Sequence, residues 1–160
     1  MQLAVERFEK IDGVVNCIGS VLLKPAHLTT DKEWHDVLST NLTSSFFLVR
    51  SAVKAMRQEG GSIVLISSAA AQIGLANHEA IAAAKAGIIG LTQSAAATYA
   101  VRGIRVNAVA PGLVKSEMTR KLWDNESVAG ASRQMHALGR LGEPDDIARA
   151  VLWLLNAENN

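Results

Sequence analysis

An apolar run ends in Ile66-Ser67-Ser68, and seventeen residues beyond Ser68 a lysine, Lys85, stands in the small-residue stretch "EAIAAAKAGIIG". Hydroxyls at the end of a strand and an ammonium on a helix are hydrogen-bonding and proton-moving groups, and the segment reads as the catalytic part of an enzyme. His78 lies three residues before Ile81 and seven before Lys85, so the three can share one helix face. An imidazole titrates near about 6.5, which suits acid–base work. Glu79 is adjacent but points about 100° further round.

These groups need elements to hold them. "GVVNCIG" (13–19), "IVLISS" (63–68) and "IRVNAVAPG" (104–112) are short, nearly continuous apolar runs, the pattern of parallel strands covered on both faces. A helix is expected from Thr30, where "TDKE" has capping-box spacing, through Trp34, Val37, Leu42, Phe46 and Val53 to Gly60-Gly61. A second, rich in Ala and Gly, runs from after Asn77 to about Val101, and its small residues admit a close neighbour. The last opens at "EPDD", with Pro144 at its first position, and ends near Ala157. Alternating strands and helices give right-handed βαβ units and an α/β fold: a three-layer parallel sheet with flanking helices. Ligands of such folds bind at the carboxyl ends of the strands. Those ends carry Asn16 and Gly19, Ser67 and Ser68, and Pro111 and Gly112.

Composition sets bounds. The 160 residues suit a single domain, 1–160, and 49% of them are apolar. Sixteen Lys and Arg against fifteen Asp and Glu give a net charge of +1, so no electrostatic case exists for nucleic acid or an anionic membrane. Cys17 is the one cysteine, which rules out an internal disulfide and a cysteine metal cluster; no metal is expected. No uninterrupted apolar run reaches membrane-spanning length, and "MQLAVERFEKIDG" is not a signal peptide, so the expected location is cytoplasmic. The N-x-S/T triplets at Asn41 and Asn125 are then chance matches.

Five stretches in order resemble the central and C-terminal part of the short-chain dehydrogenase/reductase family. They are "DGVVNCIGS", "STNLTSSFFL", "GSIVLISSAAAQIG", "AAAKAGIIGLTQSAAATYAVRGIRVNAVAPGLVKSEMT" and "GRLGEPDDIARAVLWLL". The resemblance implies a Rossmann-like fold, an NAD or NADP cofactor, and hydride transfer between nicotinamide and a carbonyl or alcohol substrate. It implies that Asn41, Ser68 and Lys85 are active-site residues: Lys85 holding the nicotinamide ribose, Ser68 positioning the carbonyl oxygen and Asn41 supporting a water relay. It places Asn16, Gly19, Lys85, Pro111, Gly112, Val114 and Ser116 at the cofactor, Ser116 keeping the hydroxyl of the usual threonine. It also implies a homo-oligomer through the two long central helices, and a substrate lid over 113–135 in which Met118 and Trp123 are expected to line the pocket. Trp34 and Trp153 are expected to be packing residues.

The chain departs from the family pattern in two places. The pattern has a tyrosine four residues before the lysine and thirteen after the serine; that position is Ile81. A phenol beside an ammonium is suited to protonating an alkoxide, because the positive charge lowers the phenol pKa. Ile81 has no proton to give, and loss of a general acid costs about 10²–10⁴ in rate. Tyr99 lies fourteen residues beyond Lys85, roughly 21 Å along a helix, so His78 is the candidate replacement. The second departure is the N-terminal half. No G-x-x-x-G-x-G phosphate loop is present, and neither is the strand that follows the family's last helix. Cys17 and Ile18 also replace the Asn and Ala of the usual strand-end motif, bringing bulk near the cofactor. The leading expectation is an NAD(P)-dependent oxidoreductase with an atypical active site. The alternatives are a non-catalytic binding or assembly subunit, and a truncated piece of a longer enzyme.

Overall fold

The computed structural model describes residues 1–56 and 60–159. Its elements are α1 (Gln2–Phe8), β1 (Gly13–Asn16), α2 (Asp31–Leu38), α3 (Ser44–Met56), β2 (Gly61–Ile66), α4 (Glu79–Tyr99), β3 (Ile104–Val109), α5 (Arg120–Trp123), α6 (Glu126–Met135) and α7 (Pro144–Leu155). The three strands form one parallel sheet in the order β1-β2-β3, with Val14 opposite Ile63 and Ile63 opposite Val106. β2 is central, and its Ile63, Val64 and Leu65 are fully buried, as the near-continuous apolar run requires.

α3 and α4 cover one face. Val49, Val53 and Met56 of α3 meet Ile63 and Leu65 of β2, Ile88 and Ala95 of α4, and Ile104 and Val106 of β3 in one core cluster. α7 lies along the sheet on Ser62 and Arg105: the Ser62 hydroxyl donates to the Leu154 carbonyl at 2.8 Å, and Arg105 donates to the same carbonyl at 2.9 Å. β1 and β3 are shorter than their apolar runs, and β2 lies two residues earlier than its run. β1 stops at Asn16 because the Asn16 Oδ1 accepts the Ile18 N–H at 3.1 Å and turns the chain.

The helix expected from Thr30 to Gly60 is not continuous. Its start is as read: Thr30 and Glu33 form a capping box. Between α2 and α3, however, Ser39–Thr43 is a π-helical turn. The cause lies in its side chains. Asn41 Nδ2 donates to the Val37 carbonyl, Ser44 Oγ to that of Thr40 and Ser45 Oγ to that of Asn41, so side-chain donors sit on carbonyls that an α-helix would pair with backbone N–H groups. The stretch of that expected helix over 57–59 lies outside the described residues. α4 followed by a 3₁₀ turn, Glu79–Arg102, is long and apolar enough to cross a bilayer by length and composition, although Lys85, Thr92, Gln93 and Ser94 interrupt its apolar residues. It packs instead on the sheet through Ile88 and Ala95. Its small residues do admit a neighbour: a Cβ on Gly87 would lie 2.7 Å from Leu42. Trp34 and Trp153 are not core residues; both are exposed, Trp153 by 60%. α7 ends at Leu155, two residues before the expected Ala157.

Gly60 enters β2 with φ at 75°, and a Cβ there would lie 2.5 Å from the Gly103 carbonyl oxygen. A side chain would meet both a strained backbone and rigid main chain. Gly60→Ala is expected to lower stability by about 2 kcal/mol, read as a lower urea midpoint at unchanged slope.

Candidate active site

The strand ends converge as the topology requires. Asn16, buried at the end of β1, donates through Nδ2 to Ser45 Oγ at 2.9 Å, and Ser45 Oγ donates to the Asn41 carbonyl at 2.8 Å. Asn41 is fully buried and every polar atom of its side chain is engaged. Nδ2 donates to the Val37 carbonyl at 2.9 Å and to Ser20 Oγ at 3.0 Å, and Oδ1 accepts the Ser20 N–H at 3.2 Å. The residue is therefore structural within its turn as well as adjacent to the site. Neither Ser20 nor Ser45 stood out in the sequence, because a lone serine carries no spacing signal.

Lys85 leans from α4 onto the end of β2. Its Nζ donates to the Ile66 carbonyl at 2.8 Å, and the buried Ser67 hydroxyl donates to the Lys85 carbonyl at 2.8 Å. Burial disfavours the charged ammonium and holds its pKa below the ordinary 10.5. Gly19 faces both side chains: a Cβ there would lie 3.2 Å from Asn41 Oδ1 and 3.7 Å from Lys85 Nζ. Ile18, next to Gly19, is exposed.

Ser68 caps the short 3₁₀ turn Ala69–Ala71. Its Oγ accepts the Ala70 N–H at 3.2 Å, which leaves the hydroxyl hydrogen for a ligand. The Ala69 N–H donates to the Pro111 carbonyl at 2.8 Å and joins this turn to the end of β3. Ser68 opens into a cleft of about 750 Å³ that Ile81, Leu113, Leu122, Val128 and His136 also line. His78 also lines this cleft, at the N-cap of α4 rather than within it. Neither Met118 nor Trp123 is among the lining residues, contrary to expectation. Met118 is exposed, and the Trp123 indole instead donates to the Ser116 carbonyl at 2.9 Å, folding the ring back on its own loop. Val114 pairs with Gly142 in an isolated parallel bridge, and Ser116 Oγ lies 3.0 Å from Thr119 Oγ1. Ile81 is buried with Val37, Ala80 and Ala84. Tyr99 is at the far end of α4, against the core.

The family model described as enoyl-(acyl carrier protein) reductase matches residues 1–160. The chain belongs to the short-chain dehydrogenase/reductase family. Among curated relatives, it is 38% identical over 155 residues to a 3-oxoacyl-[acyl-carrier-protein] reductase of Chlamydia pneumoniae, covering 96% of this chain and 62% of that protein. The corresponding Escherichia coli reductase is 40% identical over 152 residues, covering 94% and 62%. A D-threitol dehydrogenase of Mycolicibacterium smegmatis is 35% identical over 148 residues, covering 92% and 56%. Among solved structures, ElxO with NADP bound superposes with a TM-score of 0.91 at 31% identity, covering 99% of this chain and 65% of that one. The chain thus spans about 62% of the length of the reductases it matches.

The depressed Lys85 pKa has a signature in stability. Well below its folded-state value the group is charged in both states, and burial opposes folding. Between that lowered value and 10.5 only the unfolded chain holds the proton, so stability rises with pH across that window. Urea unfolding at a series of alkaline pH values should show this rise in the unaltered chain and its absence in Lys85→Met.

Proposed function

We propose that this chain supplies the nicotinamide end and the substrate cleft of an NAD(P)-linked oxidoreductase that interconverts an uncharged carbonyl compound and its alcohol. The observation that carries the reading is the meeting of Gly19, Asn41 and Lys85 within 4 Å of one point at the strand ends. That point is the space a Cβ on Gly19 would fill, so a flat or hydroxylated ligand group can approach the backbone there. The residues fit a nicotinamide riboside: Lys85 Nζ has one hydrogen bond, to Ile66, and two further N–H donors suited to ribose hydroxyls. Pro111, Gly112, Val114 and Ser116 lie in the segment that follows β3, the family's place for the nicotinamide amide.

A bound nicotinamide dinucleotide supplies the hydride. The chain's own residues orient and neutralise. Ser68 can donate its free hydroxyl hydrogen to a substrate oxygen, and Lys85 contributes positive charge beside the strand end. Asn41 fixes the loop at Gly19-Ser20 and thereby the ceiling over Lys85. The cleft is walled chiefly by aliphatic side chains, and none of its lining residues is Asp, Glu, Lys or Arg. It therefore suits a carbonyl compound with hydrocarbon substituents better than a phosphate or sugar acid. Phe46 and Phe47, exposed on α3 beneath Arg50, support self-association along that helix.

A second reading, a binding subunit without turnover, is favoured by Ile81, an aliphatic residue buried in the wall where the family resemblance places its phenol. Titration of the folded chain with NADH and with NADPH, followed by backbone amide shifts, tests the site. Shifts at Gly19, Ser68, Lys85 and Ser116 are expected, with Lys85→Ala weakening binding by about tenfold or more, the loss of a charge-assisted hydrogen bond. A folded chain whose shifts move with neither dinucleotide overturns the reading.

A further inference from the structure

Reduction of a carbonyl adds a proton to oxygen as well as a hydride to carbon, and Ile81 has none to give. Two imidazoles line the cleft, His78 and His136. In each, Nδ1 lies 2.7 Å from a backbone carbonyl oxygen, that of Ala76 for His78 and that of Ser132 for His136. A carbonyl oxygen only accepts, so Nδ1 carries hydrogen in both rings and Nε2 is the atom left to exchange a proton.

Place separates the two. His136 follows α6, and its Nε2 packs over Gly112, three residues past β3, where a Cβ would collide with it. Gly112 adjoins Pro111, whose carbonyl accepts the N–H of Ala69, the residue after Ser68. Contacts therefore run without a gap from the Ser68 turn through Pro111-Gly112 to the His136 ring. The absence of a side chain at Gly112 is what admits the imidazole. Both rings are hydrogen-bonded to their own segments, and it is the His136 ring that packs on the Gly112 backbone.

We propose that His136 is the acid–base group of this cleft, exchanging a proton through Nε2 with the oxygen of a carbonyl or alcohol held at Ser68. The inference rests on the oxidoreductase reading given above. In the reducing direction a hydride from the reduced nicotinamide forms the new C–H bond at the carbonyl carbon, and the C=O π pair moves to oxygen. The Nε2–H bond of the imidazolium breaks as the O–H bond forms, leaving the alcohol, the oxidised nicotinamide and a neutral imidazole with its hydrogen on Nδ1. Oxidation runs the same transfers backwards, with neutral Nε2 taking the proton. The Nδ1–H bond to Ser132 persists in both directions and holds the ring in place.

The charges on the surrounding elements are mostly engaged elsewhere. Lys115 pairs with Glu143, Arg120 with Glu117, Arg133 with Glu126 and Arg140 with Asp146. Lys121 and Asp124 lie on and just after α5, outside the cleft lining, and His78 is the one other titratable group in that lining among the described residues.

The test reads imidazole ring signals of the chain by NMR across pH, with saturating NADH, NADPH and their oxidised forms. A positive nicotinamide beside His136 lowers its pKa relative to the neutral reduced ring, so the His136 titration should move between the two redox forms while that of His78 stays put. In turnover of aliphatic secondary alcohols, His136→Gln should reduce kcat by about 10²–10⁴ and abolish the acidic limb of its pH profile, with dinucleotide affinity within about twofold. A His136 titration indifferent to redox form, with dinucleotide shifts intact at Gly19 and Lys85, overturns the assignment and leaves the oxidoreductase reading standing. So does a His136→Gln variant with unaltered kcat. Absence of dinucleotide shifts at Gly19 and Lys85 overturns both.

Discussion

Drawing the Lys85 ammonium out of water opposes folding, and much of the site's architecture offsets that expense. The Ile66 carbonyl, the last of β2, takes one of its hydrogen bonds. Ser67, one residue on, grips the Lys85 backbone from below, so strand end and helix move as a unit. Gly19 leaves the side of the ammonium open, where a Cβ would stand in van der Waals contact with it and press on Asn41 Oδ1. A buried ammonium needs polar groups to complete its surroundings, and in the proposed function the open side is where the ligand supplies them. Filling it with aliphatic groups would favour the fold and remove its purpose, the usual tension between stability and function.

Much of this was legible in the sequence, for physical reasons that differ by element. The strands declared themselves because a parallel sheet covered on both faces needs unbroken apolar runs, and "IVLI" supplies one. α7 was legible from Pro144 and its acidic first turn, and the start of α2 from Thr30 and Glu33. What escaped was non-local. The π-helical turn depends on three side chains each choosing a backbone carbonyl, a choice that no period of apolar residues encodes. His136 sits in a stretch with no apolar period and no motif. It gained meaning only when folding laid it over Gly112, a residue twenty-four positions earlier. Trp123 was misplaced for a related reason: its indole N–H found a carbonyl within its own loop, and a hydrogen bond outweighed the general preference of a large ring for the cleft.

The resemblance between this chain and its relatives is closest in backbone, with a TM-score of 0.91 to ElxO at only 31% identity. A scaffold held so closely while its side chains vary is one on which chemistry can be relocated. Ile81 packs into an aliphatic cluster with Val37, Ala80 and Ala84, so the wall of the cleft is sound without a phenol. On the proposed assignment the proton comes instead from His136, which lines the same cleft.

The π-helical turn at Ser39–Thr43 ties together two things that a plain helix would leave independent. Such a turn holds one residue more than an α-helical turn and absorbs the surplus where it arises, so Val49, Val53 and Met56 of α3 still meet the sheet. The same widening brings Asn41 inward to Val37 and Ser20. Excising one residue would let the turn relax to an α-helical one: α3 would keep its face, and the widened seat of Asn41 would be lost.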